Sequence, residues 1–443
     1  MDIVSNPWKD KKDTPVVGIV AEYNPFHNGH AYQIQEAKRL SGAKHCIVVM
    51  SGDFVQRGAP AIFDKYTRTE MALLGGADLV IEIPPMFAVS SAEDFAGCAV
   101  SLLDHLKIVS HLCFGCECGD TGPLMKAAQI LCEEPEVFRT VLREGLKTGL
   151  SFPQARMKAL KSLSLGSDYS EILSENVLSA PNNILGVEYC KALIRRESSI
   201  IPFTIKRRGN DYHDTLLSSC EMDKAETCFS SASALRKALE DFYGSSDCSS
   251  WKLEPLLRKN VPESVWELAN EYAPVFPDDF SALLSCRLLE LQSQNADLTD
   301  FEDVSEELAA RMKHRILDFS TYENRIEGLK TKQYTYTRVS RSLVHILLNI
   351  TREEIMFRKG HDYISCFRVL GFKRDSASLL TAIKKATRLP LITKTADAAN
   401  FLDEEALKEF YRDLLCSHVY QSVAGLKKGN RKTNEYTQPV IIL

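Results

Sequence analysis

The sequence predicts an α/β protein: a parallel sheet covered by helices on both faces, followed by a mainly helical C-terminal region. Three observations carry this. Over the first 120 residues short apolar runs alternate with stretches of helical spacing, the order expected of βαβ units. The chain has 443 residues, too many for one ordinary hydrophobic core. After about Asp247 acidic, leucine-rich helical patterning takes over and runs through Leu317.

Pro15–Ala21 (PVVGIVA) is a short apolar run rich in Val, a buried strand by its length. Asn28–Ser41 follows with helical spacing, apolar at Ala31, Ile34, Ala37 and Leu40. His45–Met50 predicts a second strand, Asp64–Leu74 a second helix, and Asp78–Ile83 a third strand that Pro84-Pro85 ends. Ser91–Leu106 predicts a helix and His111–Phe114 a fourth strand. From Gly122 to about Ala180 the pattern is helical, with Pro153 suited to a first turn. Pro181–Arg196 predicts another helix and Ile201–Ile205 a fifth parallel strand. Ser231–Leu239 opens a helix at a serine-rich N-terminus, and the basic stretch from Arg325 continues as an amphipathic helix over about Tyr336–Ile350. The predicted division is 15–245 for the sheet-containing unit and 246–443 for the mainly helical one.

Composition narrows the class. The chain is 44% apolar and 26% charged, and no apolar run approaches the ~18–20 residues of a membrane span. The start, MDIVSNPWKDKKDTP, has no apolar signal-peptide core, so a cytoplasmic protein is expected. Thirteen scattered cysteines then read as reduced thiols. The one cluster, Cys113-Phe-Gly-Cys116-Glu-Cys118, lacks a second ligand pair downstream and is expected to be buried and inert, with no metal. The net charge of -5 hides an asymmetry: Arg325 to Leu443 carries 21 Lys and Arg against 12 Asp and Glu, leaving -14 on the remainder. A basic end on an acidic body signals a polyanionic partner; the bland alternative is a solvated helical face.

The chemistry concentrates where the first strand runs into the first helix: Gly18-Ile19-Val20-Ala21-Glu22-Tyr23-Asn24-Pro25-Phe26-His27-Asn28-Gly29-His30-Ala31. Open α/β sheets bind ligands at that carboxyl edge. Gly29 lets a phosphate approach the backbone, and helix N-terminal amides favour an anion. His27 and His30, three apart, can point to one side of the first turn and donate to phosphate oxygens. The bland alternative is a pair of capping histidines with no ligand. A His-x-x-His metal pair lacks a carboxylate partner, and no P-loop sequence occurs.

This run resembles the motif of the HIGH nucleotidyltransferase superfamily as the tRNA(Met) cytidine acetate ligases carry it. Ser51-Gly-Asp-Phe-Val-Gln56-Arg57-Gly58, Gly76-Ala-Asp78-Leu-Val-Ile-Glu82-Ile-Pro, Cys113-Phe-Gly115-Cys-Glu117, Pro181-Asn182-Asn183-Ile-Leu-Gly, Ile205-Lys-Arg207, Ser231-Ala-Ser-Ala-Leu-Arg236 and Asn434-Glu-Tyr-Thr follow in the family order. The sequence departs from it at Asp53, where the family usually has Asn, and at Cys116, where it usually has Ser.

The resemblance implies a Rossmann-like nucleotidyltransferase domain followed by a tRNA-binding region. It implies activation of acetate by ATP and transfer of acetyl to N4 of the wobble cytidine in elongator tRNA(Met). It places His27 and His30 in catalysis, and ATP against Gly18–Ala31, Gly115, one or both of Asn182 and Asn183, and Arg207 or its neighbour Arg208. Ser231, Ser233 and Arg236 resemble the superfamily's phosphate motif, although Ser at a helix start also serves as a plain cap. Asp53, Gln56 and Arg57 fall on the substrate side; Lys65 and Arg68 on the next helix are either part of it or solvated charges. Magnesium is expected to arrive with ATP. In the basic third, Lys330, Lys332, Tyr336, Arg338 and Arg341, with Tyr334, mix aromatic and cationic groups suited to RNA, the alternative for the tyrosines being core packing. Two other functions stay open: a small-molecule adenylyltransferase, usually shorter and without need of a basic end, and a non-catalytic RNA-binding protein, which has no need of His27 and His30.

Overall fold

The computed structural model describes residues 15–150, 152–163, 180–206, 230–244, 258–427 and 429–443. β1 (Val16–Ala21) leads into α1 (Asn28–Ser41), β2 (His45–Ser51), a two-residue hairpin pair β3 (Phe54–Val55) and β4 (Ala59–Pro60), and α2 (Lys65–Leu74). Next come β5 (Leu79–Ile83), a single turn α3 (Pro85–Ala88), α4 (Ala92–His105) and β6 (His111–Cys116). After α5 (Thr121–Glu133), α6 (Glu136–Lys147), α7 (Phe152–Leu163) and α8 (Pro181–Arg195) the sheet resumes at β7 (Ile201–Lys206), followed by α9 (Ala232–Gly244). Apart from the β3–β4 hairpin and α3, which no periodicity announced, these elements lie where the periodicity places them, because local signals set their ends; of the helical stretch expected over 122–180, residues 151 and 164–179 lie outside the described ones. Asp64 caps α2 by accepting from the amides of Tyr66 and Thr67, Ser91 caps α4 through Asp94, and Pro181 takes the first position of α8. α1 ends at Gly42 in the left-handed region, φ +67°.

Among the described residues the sheet has eight strands. Its order is β10-β8-β5-β2-β1-β6-β7, where β8 is Phe367–Phe372 and β10 is Ile441–Ile442; β9 (Leu391–Ile392) pairs with β8. β1 runs parallel to both β2 and β6, and β6 parallel to β7, with Cys116 opposite Lys206. β8 runs antiparallel to β5, Leu79 opposite Phe372. The C-terminal third, expected to be mainly helical, therefore contributes three strands to the sheet, and position 245 is not a boundary within it. Two of the three are two residues long, too short for any periodicity. The third, Phe-Arg-Val-Leu-Gly-Phe, is broken by a glycine at which a Cβ would stand 2.6 Å from Thr69 Cγ2 of α2.

The faces of the sheet build separate cores from alternate residues of the same strands. Val16, Ile47, Val49, Leu79 and Ile81 point into one; Val17, Ile19, Cys46, Val48 and Val80 into the other. The first core continues without a break into the C-terminal helices, through Leu308, Ile326, Leu343 and Val344. The amphipathic helix expected over Tyr336–Ile350 runs Tyr336–Leu348 and stops at Asn349, φ +57°. No helix among the described residues is long and apolar enough to cross a membrane.

Candidate active site

The strand order reverses at β1: β2 lies on one side of it and β6 on the other. The chain leaves the carboxyl ends of these strands toward opposite faces, which opens a crevice there. A cavity of about 440 Å³ occupies it. β1 contributes Val20, Ala21 and the following Glu22, Tyr23 and Asn24; β6 contributes Phe114 and Gly115; β7 contributes Ile205 and Lys206. His27, Gly29 and His30 come from the start of α1, Gln56 and Arg57 from the β3–β4 hairpin, Asn182 from α8, and Ser231, Ser233 and Arg236 from α9. Thr337, from the helix Tyr336–Leu348, also lines it.

The two histidines are capping residues and cavity residues at once. His27 Nδ1 accepts the Gly29 amide at 3.0 Å, and His30 Nδ1 accepts the His27 amide at 3.3 Å. With Nδ1 an acceptor in each ring, a neutral imidazole carries its proton on Nε2. The rings stack with centroids 3.7 Å apart, and Tyr23 packs edge-on to His30 at 4.8 Å. The bland alternative and the functional one therefore describe one arrangement: the cap fixes the rings at the rim of the cavity.

Charge around the cavity is unbalanced. Among the described lining residues, Arg57, Lys206 and Arg236 face one carboxylate, Glu22, whose Oε1 accepts the Gln56 amide at 2.9 Å. Burial lowers the pKa of both arginines, with Glu22 opposing. Arg236 is oriented by Asn24 O at 2.6 Å and Ser233 Oγ at 3.1 Å, while Ser231 Oγ caps Ala234 at 3.1 Å. A positive, partly dry cavity walled by Phe95, Leu185 and Tyr189 suits an anion with an aromatic body.

Other expected residues stand back from the cavity. Gly18 and Ile19 are inside the sheet, and a Cβ on Gly18 would meet Leu103 Cδ2 at 2.7 Å. Pro25, joined to Asn24 by a cis peptide bond, and Ala31 do not line it, and Phe26 is in the core. Asn28 holds a neighbouring segment, its amide bonding Asn260 O at 3.0 Å and its side chain Lys259 O at 2.8 Å. Asn182 faces the cavity and donates to Glu117 Oε1 at 2.6 Å, whereas Asn183 is buried, accepting the Glu117 amide at 2.9 Å. Arg207 and Arg208 lie outside the described residues.

Asp53 does not line the cavity. It is buried beneath it, with Oδ1 accepting the Lys65 amide at 2.8 Å. Lys65 and Arg68 are not solvated charges: they are 1% and 0% exposed. Lys65 Nζ sits between Glu82 (2.9 Å) and Glu435 (3.1 Å). Arg68 donates to the carbonyls of Glu22, Ser51, Gly52 and Phe63, tying the end of β1 to the end of β2. It thereby anchors the backbone of Glu22, which lines the cavity. Of the three cysteines expected to be buried, Cys113 and Cys116 are, whereas Cys118 is half-buried with its Sγ 3.6 Å from that of Cys116; burial pushes the Cys116 thiol up to about 11. Among the described residues no three His, Cys, Asp or Glu side chains are grouped to hold a metal ion.

The expected RNA-facing residues divide. Lys332 is exposed, Lys330 pairs with Glu327 at 3.3 Å, and the Arg338 guanidinium lies 5.1 Å over the Tyr334 ring. Arg341 and Tyr336 are held by the protein instead. Arg341 makes two bonds to Asp303, at 2.6 and 3.2 Å, and the Tyr336 hydroxyl donates to Glu323. Tyr334 is a core aromatic, its hydroxyl bonded to Ser305 and Glu307. Sequence reasoning missed Lys206, Gln33 and Thr337. Lys206 ends a parallel strand at the ligand edge, the same signal that pointed to Gly115; Thr337 reaches the cavity only through tertiary packing.

The chain matches the family model for HIGH Nucleotidyl Transferase over residues 14–436. It is 39% identical to the tRNA(Met) cytidine acetate ligase of Acetivibrio thermocellus, over 97% of this chain and 100% of that protein. It is 41% identical to the protein of the same name from a Thermoanaerobacter species, over 93% and 97%. Its structure superposes on Thermotoga maritima TmcAL crystallised with alpha-thio ATP, with a TM-score of 0.83 and 29% identity over 97% of this chain and 99% of that one.

Proposed function

Because this chain belongs to the tRNA(Met) cytidine acetate ligase family of HIGH nucleotidyltransferases, we propose that it activates acetate with ATP and acetylates N4 of the wobble cytidine in elongator tRNA(Met). The observation that carries this reading is relatedness along the whole chain, through the histidine motif and the basic end alike. A small-molecule adenylyltransferase has no need of that end.

ATP occupies the cavity, its phosphates toward His27, His30, Ser231, Ser233, Arg236 and Lys206, and its base and sugar toward Gly115, Asn182 and the aromatic wall. Arg57 and Gln56, on the hairpin beside Glu22, hold acetate; Arg57 is a forked donor suited to a carboxylate. An acetate oxygen attacks the α-phosphorus and the bond to pyrophosphate breaks, giving acetyl-adenylate. Charge gathering on phosphate oxygens is met by the Nε2 protons of His27 and His30 and by the amides of α1. The cytidine N4 then attacks the acetyl carbonyl, loses a proton, and AMP leaves. Anticodon bases are unpaired, so presenting the cytidine is inexpensive. Magnesium, if carried on the ATP phosphates, would neutralise part of their charge, and among the described lining residues Glu22 is the carboxylate that would meet it. Most of the chemistry falls to residues 15–245, with Thr337 reaching the cavity from the remainder, and RNA binding to 246–443, including Lys330, Lys332 and Arg338.

The test is incubation with ATP, labelled acetate and total tRNA. Acetate-derived label in elongator tRNA(Met) with release of AMP is expected. Transfer of AMP to a small metabolite instead would overturn the reading.

A further inference from the structure

The motif Asn434-Glu435-Tyr436-Thr437 takes no part in the cavity, yet it is held by a buried charge network. Glu435 is fully buried, 3.1 Å from Lys65 Nζ, 2.9 Å from the Tyr66 hydroxyl and 3.7 Å from Arg368. Ser417, on the helix Glu404–Ala424, accepts from Lys65 Nζ at 2.8 Å. Such networks contribute little net stability, and their best-attested use is to fix one geometry. What this one fixes is the next residue. Tyr436 is 48% exposed, although an aromatic ring gains by burial.

Tyr436 does not stand alone. Its ring lies 5.6 Å from His418, tilted 33°, and 6.3 Å from Tyr411, which is 41% exposed. His418 Nε2 accepts the Glu435 amide at 3.3 Å, a second pin on the same segment. Tyr411, Leu415 and His418 fall at i, i+4 and i+7 on one face of Glu404–Ala424, and Leu415 is exposed as well. The surroundings are cationic. Lys408 precedes Tyr411 by one turn, Arg431 and Lys432 precede the motif, and all three are exposed, Arg431 pairing with Glu70 at 3.5 Å and lying 4.9 Å over the Tyr272 ring. The acids of that helix segment, Glu409 and Asp413, are both paired with Arg358.

The face also lies at the right edge of the sheet. Lys65 opens α2, the helix that follows β2, and Glu82 is the penultimate residue of β5. Helix starts and strand ends of parallel units lie at the carboxyl edge, where the cavity opens.

We propose that Tyr411, His418 and Tyr436 form a preorganised stacking face for unpaired bases of an RNA substrate, pinned by Glu435 and flanked by Lys408, Arg431 and Lys432. Exposed rings among cations are the recognition chemistry of single-stranded nucleic acid. The proposal rests on the reading of tRNA as substrate and adds where part of it docks.

The test measures binding of an elongator tRNA(Met) transcript by fluorescence anisotropy at several salt concentrations, with thermal unfolding to show that each variant is folded. Tyr411→Ala plus Tyr436→Ala is expected to weaken binding about tenfold while leaving the salt slope unchanged, since no cation is removed. Tyr411→Phe plus Tyr436→Phe, which keeps both rings, is expected to bind as wild type. Wild-type affinity in the alanine variant overturns the stacking face and leaves the substrate reading standing. A wild-type protein that binds no tRNA overturns both. Loss of self-association with unchanged RNA affinity, seen by sedimentation, assigns the face to a second copy of the chain and overturns RNA as its occupant.

Discussion

His27 stacks on His30 with ring centroids 3.7 Å and planes 25° apart, and each Nδ1 accepts a backbone amide of the turn that joins them. The helix cap and the proposed phosphate donors are thus the same two side chains. Asn is as good an N-cap as any residue, so His27→Asn separates the roles. Its thermal midpoint is expected to stay within a few degrees of wild type, while acetate-dependent ATP–pyrophosphate exchange falls at least ~100-fold, the usual effect of losing one preorganised donor. His30→Ala is expected to abolish exchange and to leave tRNA affinity nearly unchanged. Exchange at wild-type rate in His27→Asn would leave capping as the whole role of that residue.

Asp53 gives a pH dependence with a definite sign. Burial pushes its carboxyl up to about 7 from an ordinary 3.8, with Lys65 opposing, and Oδ2 has no hydrogen-bond partner in the structure. Between pH 4 and 7 the folded state therefore keeps a proton that the unfolded chain has lost. Stability on this account is greatest at the acid end and declines as pH rises, by at most ~1.4 kcal/mol per unit. Asp53→Asn, which imitates the protonated form, is expected to gain on wild type as pH climbs from 5 to 8. Urea denaturation at pH 5, 6.5 and 8 checks it; parallel curves for the two proteins would mean that Asp53 stays ionised.

Much of this was legible in the residues because the signals are local. Val16–Ala21, the Asp64 and Ser91 caps and the run His27-Asn-Gly-His30 each state their structure within a few positions. Lys65 and Arg68 were not legible as buried groups, because a charge on an amphipathic helix reads as solvated until something covers it. What meets the Lys65 ammonium, Ser417 and Glu435, lies some 350 or more residues away along the chain. The same distance hid the three C-terminal strands of the sheet and the contribution of Thr337 to the cavity.

Gly58 joins the two halves of the site. It lies at φ +76°, and a Cβ there would overlap the backbone of Arg341. Its carbonyl accepts from Ser340 Oγ at 2.6 Å. The hairpin carrying Gln56 and Arg57 is thereby seated on the helix carrying Thr337. Gly58→Ala adds left-handed strain of roughly 1 kcal/mol to a steric overlap, so a loss of at least ~2 kcal/mol is expected in urea denaturation. The KM for acetate is expected to rise more than kcat falls. A change below ~0.5 kcal/mol with unaltered KM would mean that hairpin and helix part freely.

Arg341 and its neighbours separate stability from RNA binding. Burial alone would raise the Asp303 carboxyl, but Arg341 outweighs it and holds Asp303 below the usual carboxylate range. Arg341→Ala leaves that carboxylate enclosed without its cation, an uncompensated charge worth about 2–4 kcal/mol. The pair's contribution is present above the unfolded carboxyl pKa near 4 and is lost as pH falls below it, so the deficit is expected to shrink in acid. Lys332→Ala plus Arg338→Ala removes two cations at and just before the start of the helix that carries Arg341; Arg338 is the smallest of the charges acting on Asp303, whose hydrogen-bonded partner Arg341 stays in place. That variant is expected to stay within about 1 kcal/mol of wild-type stability, to bind tRNA more weakly, and to lower the salt slope by one to two. Urea denaturation and salt-dependent anisotropy, run on both variants, read the two effects separately. If Arg341→Ala loses tRNA affinity with its stability intact, Arg341 belongs to the RNA surface and its ion pair with Asp303 opens on binding.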